Sequence, residues 1–219
     1  MNKINHINPH IKKLQVFVLM FLMLVISACN PQKETTNPKQ KRNQLLSTFH
    51  LKNGDIVFRK GLSLESQAVL MADVNGDYSH VGIVQIIDKM PYVIHIEPDS
   101  LETTIDYAKC EKLSTFFNPD YASIGCVMRI KEMYSEKANL AVDTANAFLI
   151  KKISFDEAYD LETIDKMYCT EFIWKAFELN GIHLIDVKKN TVFIPLLKNK
   201  VILPSSLFYS SYLDKVYYF

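Results

Sequence analysis

A cysteine at the start of a helix and a histidine at the mouth of a strand form the pair in this 219-residue chain that could carry covalent chemistry. Cys169 follows Tyr168 and precedes Thr170-Glu171-Phe172, where apolar residues take up helical spacing. A thiol there lies near unpaired backbone N–H groups and the positive end of the helix dipole, both of which favour the nucleophilic thiolate. The competing role is a buried core cysteine. His80 stands between Ser79 and Val81, where a rigid strand could carry an imidazole to a distant thiol. In isolation, a satisfied structural histidine is the plainer reading of one His among six. His95 and Glu97 are two residues apart on the next strand, so either could hold the second ring nitrogen of His80 and fix its tautomer. Periodicity does not choose between them.

The elements that must position these groups follow from pattern. Asp55 to Arg59 reads as a short strand entered through the Asn53-Gly54 turn. Leu62 to Ala72 reads as a helix with Leu64, Ala68 and Met71 on one stripe and Ser63 as its cap. His80 to Ile87 is a β-branched run, and Pro91 bounds the next strand, Tyr92 to Glu97. There Tyr92, Ile94 and Ile96 face one way, with Val93, His95 and Glu97 facing the other. The short connection between these two strands predicts antiparallel pairing, and Ile124 to Ile130 completes a small sheet. Helices are predicted over Lys137 to Leu149 and over Met167 to Leu179. In the second, Phe172, Ala176 and Leu179 share a stripe opposite Glu171 and Lys175, and Gly181 caps its end. Val192 to Pro195 and Lys200 to Pro204 read as extended pieces, followed by an aromatic tail from Phe208 to Phe219. Strands and helices mix without a regular βαβ repeat, which indicates an α+β class.

Composition narrows the setting. The apolar share is 48% and the formal net charge +1, which fits a globular domain and carries no nucleic-acid footprint. Residues 1–28 hold three Lys and no acid, with an unbroken apolar run from Val16 to Ile26 and then Ser27-Ala28 before Cys29. That run is too short to span a bilayer and suits a secretory leader. Residues 30–47 are polar, with Pro31, Pro38 and several basic groups, as a tether would be. The folded part is then expected from Thr48. Of the other cysteines, Cys110 and Cys126 could be bridged or could be two buried thiols, and neither CxxC nor zinc-finger spacing is present.

Ile26-Ser27-Ala28-Cys29 resembles the lipobox of bacterial lipoproteins. That resemblance implies cleavage before Cys29, acylation of its thiol and of the new amino terminus, and a bacterial cell envelope location outside the cytoplasm. Leu51 to Arg59, Tyr78-Ser79-His80-Val81-Gly82-Ile83-Val84 and Tyr168-Cys169-Thr170-Glu171-Phe172 through Phe177 resemble the three signatures of the circularly permuted papain-like family, the YiiX type within the NlpC-like superfamily. Phe155-Asp156 and Tyr159-Asp160 extend the similarity over roughly residues 51–182. The resemblance implies a permuted papain-like α+β fold in which the histidine strand precedes the cysteine helix. The chain then divides into a leader, 1–28, a lipidated tether, 29–47, and a hydrolase domain, 48–219.

Residue by residue, the resemblance makes Cys169 the nucleophile and His80 the general base and then acid. The third position falls on His95, with Glu97 available on the same face. The oxyanion would be held by backbone N–H groups at the start of the Cys169 helix, with Tyr78 as a further donor or, alternatively, a packing or rim residue. No metal or cofactor is required by that chemistry. The expected substrate is a peptide or other amide of the envelope, peptidoglycan-derived peptides among them, and the expected membrane contact is through Cys29. An acyl-ester or lipid hydrolase or acyltransferase on the same fold is the alternative, and a non-catalytic envelope binding module is the reading from another class. The aromatic tail could line a groove or pack over a sheet face.

Overall fold

The computed structural model describes residues 50–98 and 106–218. The leader, the tether, Cys29 and the expected start of the domain at Thr48 lie outside the described residues. Ten strands and six helices follow in order. They are β1 (Ile56–Gly61), α1 (Leu64–Ala72), β2 (His80–Ile87), β3 (Met90–His95), β4 (Lys109–Lys112), α2 (Leu113–Phe116), β5 (Ala122–Ile130), α3 (Ser135–Ile150), β6 (Ser154–Phe155), β7 (Lys166–Met167), α4 (Cys169–Glu178), α5 (Val187–Asn190), β8 (Thr191–Ile194), β9 (Asn199–Ile202), α6 (Pro204–Phe208) and β10 (Leu213–Tyr218).

Six strands form one antiparallel sheet in the order β10-β5-β1-β2-β3-β4. Two-residue alternation sends their side chains into two cores. Ile56, Phe58, Val81, Ile83, Ile94, Cys126 and Met128 enter the larger core shared with α3 and α4, where Phe148 and Phe172 meet edge to face. Val57, Val84, Val93 and Val127 enter a smaller core on the opposite face, closed by Leu113, Phe116 and Phe117. β2 and β3 are joined by Asp88-Lys89, both with positive φ, a turn whose twist matches the hairpin.

The structure moves several expected boundaries. Pro91 lies inside β3 rather than before it, because β4 pairs only from Tyr92 onward and leaves the Pro91 position without a partner on that side. Glu97 therefore lies beyond the strand. Ser63 does cap α1, accepting from Ser66 N–H at 3.2 Å, but no residue of α1 is buried, and its expected stripe residues Leu64 and Met71 are exposed. The helix runs along the rim of a cavity. α4 starts at Cys169, since Tyr168 is extended, and Gly181 after it has φ +76°, as its capping role requires. Glu171, expected on the solvent side, is fully buried.

Cys110 lies exposed on the edge strand β4 and Cys126 is buried on β5, with three strands between them in the sheet, and both thiols are free. The aromatic tail supplies the last residue of α6 and the edge strand β10: Phe208 packs on Phe58 at the larger-core face, and β10 extends the sheet. The sheet is accordingly larger than the three-strand core read from pattern.

Candidate active site

The pairing register assembles the polar cluster. Arg59 on β1 stands opposite His80 on β2, Gly82 is two residues further on, and Ile83 opposite Ile94 brings His95 beside Gly82. Lys109 and Glu111 on β4 stand opposite His95 and Val93. Counting in steps of two, these residues continue the face that Val57, Val84 and Val93 begin. The cluster is thus the polar end of the smaller core. Gly82 permits the approach: a Cβ there would come 2.4 Å from Val93 Cγ1 and 3.2 Å from His95 Cβ.

His80 Nε2 lies 2.8 Å from His95 Nδ1 and 3.6 Å from Glu97 Oε2. Glu97 takes Arg59 on Oε2 in a short ion pair and Lys109 on Oε1 at 2.9 Å. His95 Nε2 is 3.2 Å from Glu111 Oε1, without hydrogen-bond alignment, and the two form an ion pair only when the imidazole is protonated. Arg59 Nη1 donates to Phe116 O at 2.9 Å, and its guanidinium lies 4.5 Å over the Phe116 ring. Both histidines are buried, and both expected third members, His95 and Glu97, are present behind His80.

Cys169 and His80 line the same cavity of about 660 Å³, together with Arg59, Glu97 and Tyr159. The backbone N–H groups of Val81, the residue after His80, and of Thr170 favour the anionic form of the thiol. Tyr168 and Thr170 fix the flanks of the cysteine. The Tyr168 hydroxyl accepts from Ile202 N–H at 2.9 Å and the Thr170 hydroxyl donates to Ile202 O at 2.6 Å. Tyr78 is in the core, its ring against Phe58 and Phe208 and its hydroxyl at the Cys126 thiol, so it occupies the packing position of its two readings.

Electrostatics revise the expected thiolate. Burial pushes the Cys169 thiol up to about 12, outweighing the two N–H bonds that favour the anion. Burial also holds His80 well below its ordinary value, against the pull of Glu97, and lowers His95. At rest, therefore, thiol and imidazole are both neutral. Burial acts to raise Glu97, but the basic groups around it, the two imidazoles when protonated and the cations Arg59 and Lys109, outweigh it and hold this carboxyl well below the usual carboxylate range.

Arg59, Lys109 and Glu111 are site residues that sequence reasoning missed. Arg59 could have been found by continuing the Val57 face two residues further. Lys109 and Glu111 are on a strand reading Lys-Cys-Glu-Lys, which has no apolar alternation to announce it.

The sheet, the helix behind it and the order of histidine strand before cysteine helix define a permuted papain-like α+β fold. The chain belongs to the family of permuted papain-like amidase enzymes, YaeF/YiiX, C92, which it matches over residues 50–217. It is 28% identical over 126 residues to uncharacterized protein YiiX of Escherichia coli strain K12, an alignment spanning 57% of this chain and 56% of that protein. A crystal structure titled as the metalloprotein YiiX from Escherichia coli O157:H7 superposes with a TM-score of 0.61 at 22% identity, covering 77% of this chain and 98% of that one. That likeness shows the shared fold.

Proposed function

We propose that the chain is an envelope-anchored cysteine hydrolase that cleaves an amide bond, with envelope peptides, peptidoglycan-derived ones included, as the substrate class. The observation that carries this reading is that Cys169 and His80 line one cavity. His95 engages His80 Nε2, which leaves Nδ1 to exchange a proton with the thiol. Because both groups rest neutral, His80 takes the thiol proton as sulfur attacks the carbonyl carbon, in the manner of a general base. The protonated imidazole then gives that proton to the leaving amine. Water attacks the resulting thioester, His80 accepts its proton, and the thiol reforms as the acid leaves. Backbone N–H groups at the start of α4 would serve as the oxyanion donors.

The test is turnover of a panel of amides and acyl esters, with intact-mass detection of an acyl adduct. Cys169→Ala is expected to abolish the adduct and His80→Ala to lower turnover about 10²- to 10⁴-fold. Turnover surviving Cys169→Ala overturns the mechanism, and turnover of esters alone selects acyl-ester chemistry on the same nucleophile.

The same reading takes residues 1–28 as a removed leader, 29–47 as tether and 48–219 as the catalytic domain, with the membrane bound through acylated Cys29. The mature protein should then carry lipid mass on Cys29, and Cys29→Ser should release it from membranes.

A second reading, a divalent ion on His80, His95 and Glu97, has a donor set whose atoms lie within 4.8 Å of one another. The arrangement does not fit a resident ion. Two nitrogens on tetrahedral zinc, at bond lengths of about 2.0–2.1 Å, are roughly 3.3 Å apart, whereas these are in hydrogen-bond contact at 2.8 Å. Both Glu97 oxygens also already hold a cation. Exhaustive chelation should leave turnover unchanged, and loss of activity restored by zinc would reverse this assignment.

A further inference from the structure

The β8–β9 hairpin has a tip that the fold does not cover. Ile194 and Leu197 turn inward against the larger core, while Phe193 is 56% and Leu196 90% exposed. This exposure is built in rather than loose. Leu197 N–H and Lys198 N–H both bond to Ile194 O, at 3.1 and 2.9 Å, and Lys198 takes φ +57° to close the turn. Leu196 is thereby fixed at the apex. The register sets Phe193 opposite Lys200, so the two share one outward face.

Lysines flank this hairpin at its base and at its turn. Lys188 and Lys189 precede the hairpin on α5, Lys198 lies in the turn and Lys200 on β9, all exposed. Asp186 pairs with Lys189 at 3.3 Å, whereas Lys188, Lys198 and Lys200 have no carboxylate at ion-pair distance among the described residues. From Val187 to Leu213 the chain contains no acid at all, although the domain as a whole is balanced in charge. An apolar apex on a hairpin flanked by lysines and free of acids is complementary to one kind of partner, an interface with hydrocarbon below and negative charge above.

We propose that the β8–β9 hairpin docks the domain on an anionic lipid surface, with Phe193 and Leu196 entering the headgroup boundary and Lys188, Lys198 and Lys200 meeting the headgroups. A protein partner fits less well, since a few side chains on a narrow tip fall far short of the roughly 800 Å² per partner that stable interfaces bury. The docking is peripheral: among the described residues, no helix is long and apolar enough to cross a membrane.

The hairpin is also tied to the site. Ile202 on β9 bonds to Tyr168 and Thr170 on either side of Cys169, and Asn199 Nδ2 donates to Ala158 O beside the cavity residue Tyr159. Docking at the tip therefore sets the orientation of the cavity to the surface. The proposal concerns placement and does not depend on the hydrolytic mechanism.

The test uses the full chain with Trp174→Phe, so that a single reporter emits. Leu196→Trp is compared with Ile150→Trp, an 83% exposed position at the end of α3. Vesicles contain phosphatidylcholine with or without phosphatidylglycerol, with brominated acyl chains as quencher. The expected result is a blue-shifted, quenched reporter at position 196 on phosphatidylglycerol vesicles, less so on phosphatidylcholine alone, and a water-exposed reporter at 150. Lys188→Glu, Lys198→Glu and Lys200→Glu together should return position 196 to water, since each lysine contributes about fivefold at such a surface. A water-exposed reporter at 196 on vesicle-bound protein overturns the proposal while leaving the lipid anchor standing. Failure to co-sediment, equal quenching at 150, or a concentration-dependent shift without vesicles, which would mean self-association, also overturns it.

Discussion

Asp55, just before β1, and Arg59, near its other end, each join an ion pair, and the two pairs are built differently. Asp55 is fully buried and takes Arg129 on both oxygens, Nε at 2.6 Å and Nη2 at 2.7 Å, while Lys52 N–H adds a third bond at 2.8 Å. Arg129 spends its remaining reach on His50 O. One acid meets one base there, with matched geometry. At the other end Arg59 and Lys109 share Glu97, Glu111 lies 4.0 Å from Arg59, and two imidazoles lie among them. Arg59 Nε and His95 Nε2 are buried without a hydrogen bond. The first arrangement closes on itself and faces no large cavity; the second keeps unspent polar atoms and faces 660 Å³ of space. Unspent buried polarity is costly to stability, and here it coincides with the groups able to move a proton.

Breaking the closed pair should show the largest effect on folding. Asp55→Ala strands a partly buried guanidinium and is expected to cost about 3–5 kcal/mol, read by denaturant unfolding. The cavity should keep its properties, so iodoacetamide alkylation of Cys169 in the folded fraction should proceed as before. A cost under about 1 kcal/mol would mean that Asp55 and Arg129 are exchangeable surface charge.

A third buried acid sharpens the contrast. Glu171 reaches back to Tyr168 N–H at 3.4 Å and pairs with Lys175 at 2.8 Å, yet burial raises it to about 7, whereas Glu97 is held far down by its cations. A carboxyl raised in the fold holds a proton that the unfolded chain has released. Its contribution is complete below the ordinary value near 4.5 and is lost as pH rises through 7. Between pH 4.5 and 8 the loss is on the order of 2–3 kcal/mol. Glu171→Gln should remove that slope, so its melting temperature should exceed that of the native protein at pH 8 and converge with it at pH 4.5. Parallel curves would show that Lys175 fully compensates the charge.

The legible part of this molecule is the part written in alternation. Cys169 and His80 stood out by type and position, and His95 followed from the period-two face of β3. The antiparallel β2–β3 pair and the Ser63 and Gly181 caps were equally visible, because local geometry fixes them. What escaped depends on register or on burial. Lys109 and Glu111 join the cluster only through cross-strand pairing. Glu171 has a solvent-side helical position and is buried because its carboxyl turns back to cap the helix start. The α1 stripe has helical spacing but finds no core to enter, and the expected thiolate failed because desolvation of the thiol outweighs its N–H bonds.

The open end of β1 can be resolved further through the group that holds His80. His95 makes the hydrogen bond at 2.8 Å, while Glu97 stands at 3.6 Å, spends its oxygens on Arg59 and Lys109, and acts through charge. If the bond fixes the imidazole, His95→Phe should lower turnover about tenfold or more, with little change in substrate KM, as expected when orientation rather than binding is lost. Glu97→Gln keeps an oxygen acceptor and removes one charge. It should cost less, a few-fold, and should lower the pKa read from the acidic limb of the rate profile, because Glu97 is the group that raises His80 against burial. The reverse ranking, with Glu97→Gln the more damaging and His95→Phe nearly silent, would transfer the orienting role to the carboxylate and leave His95 as packing against Phe116.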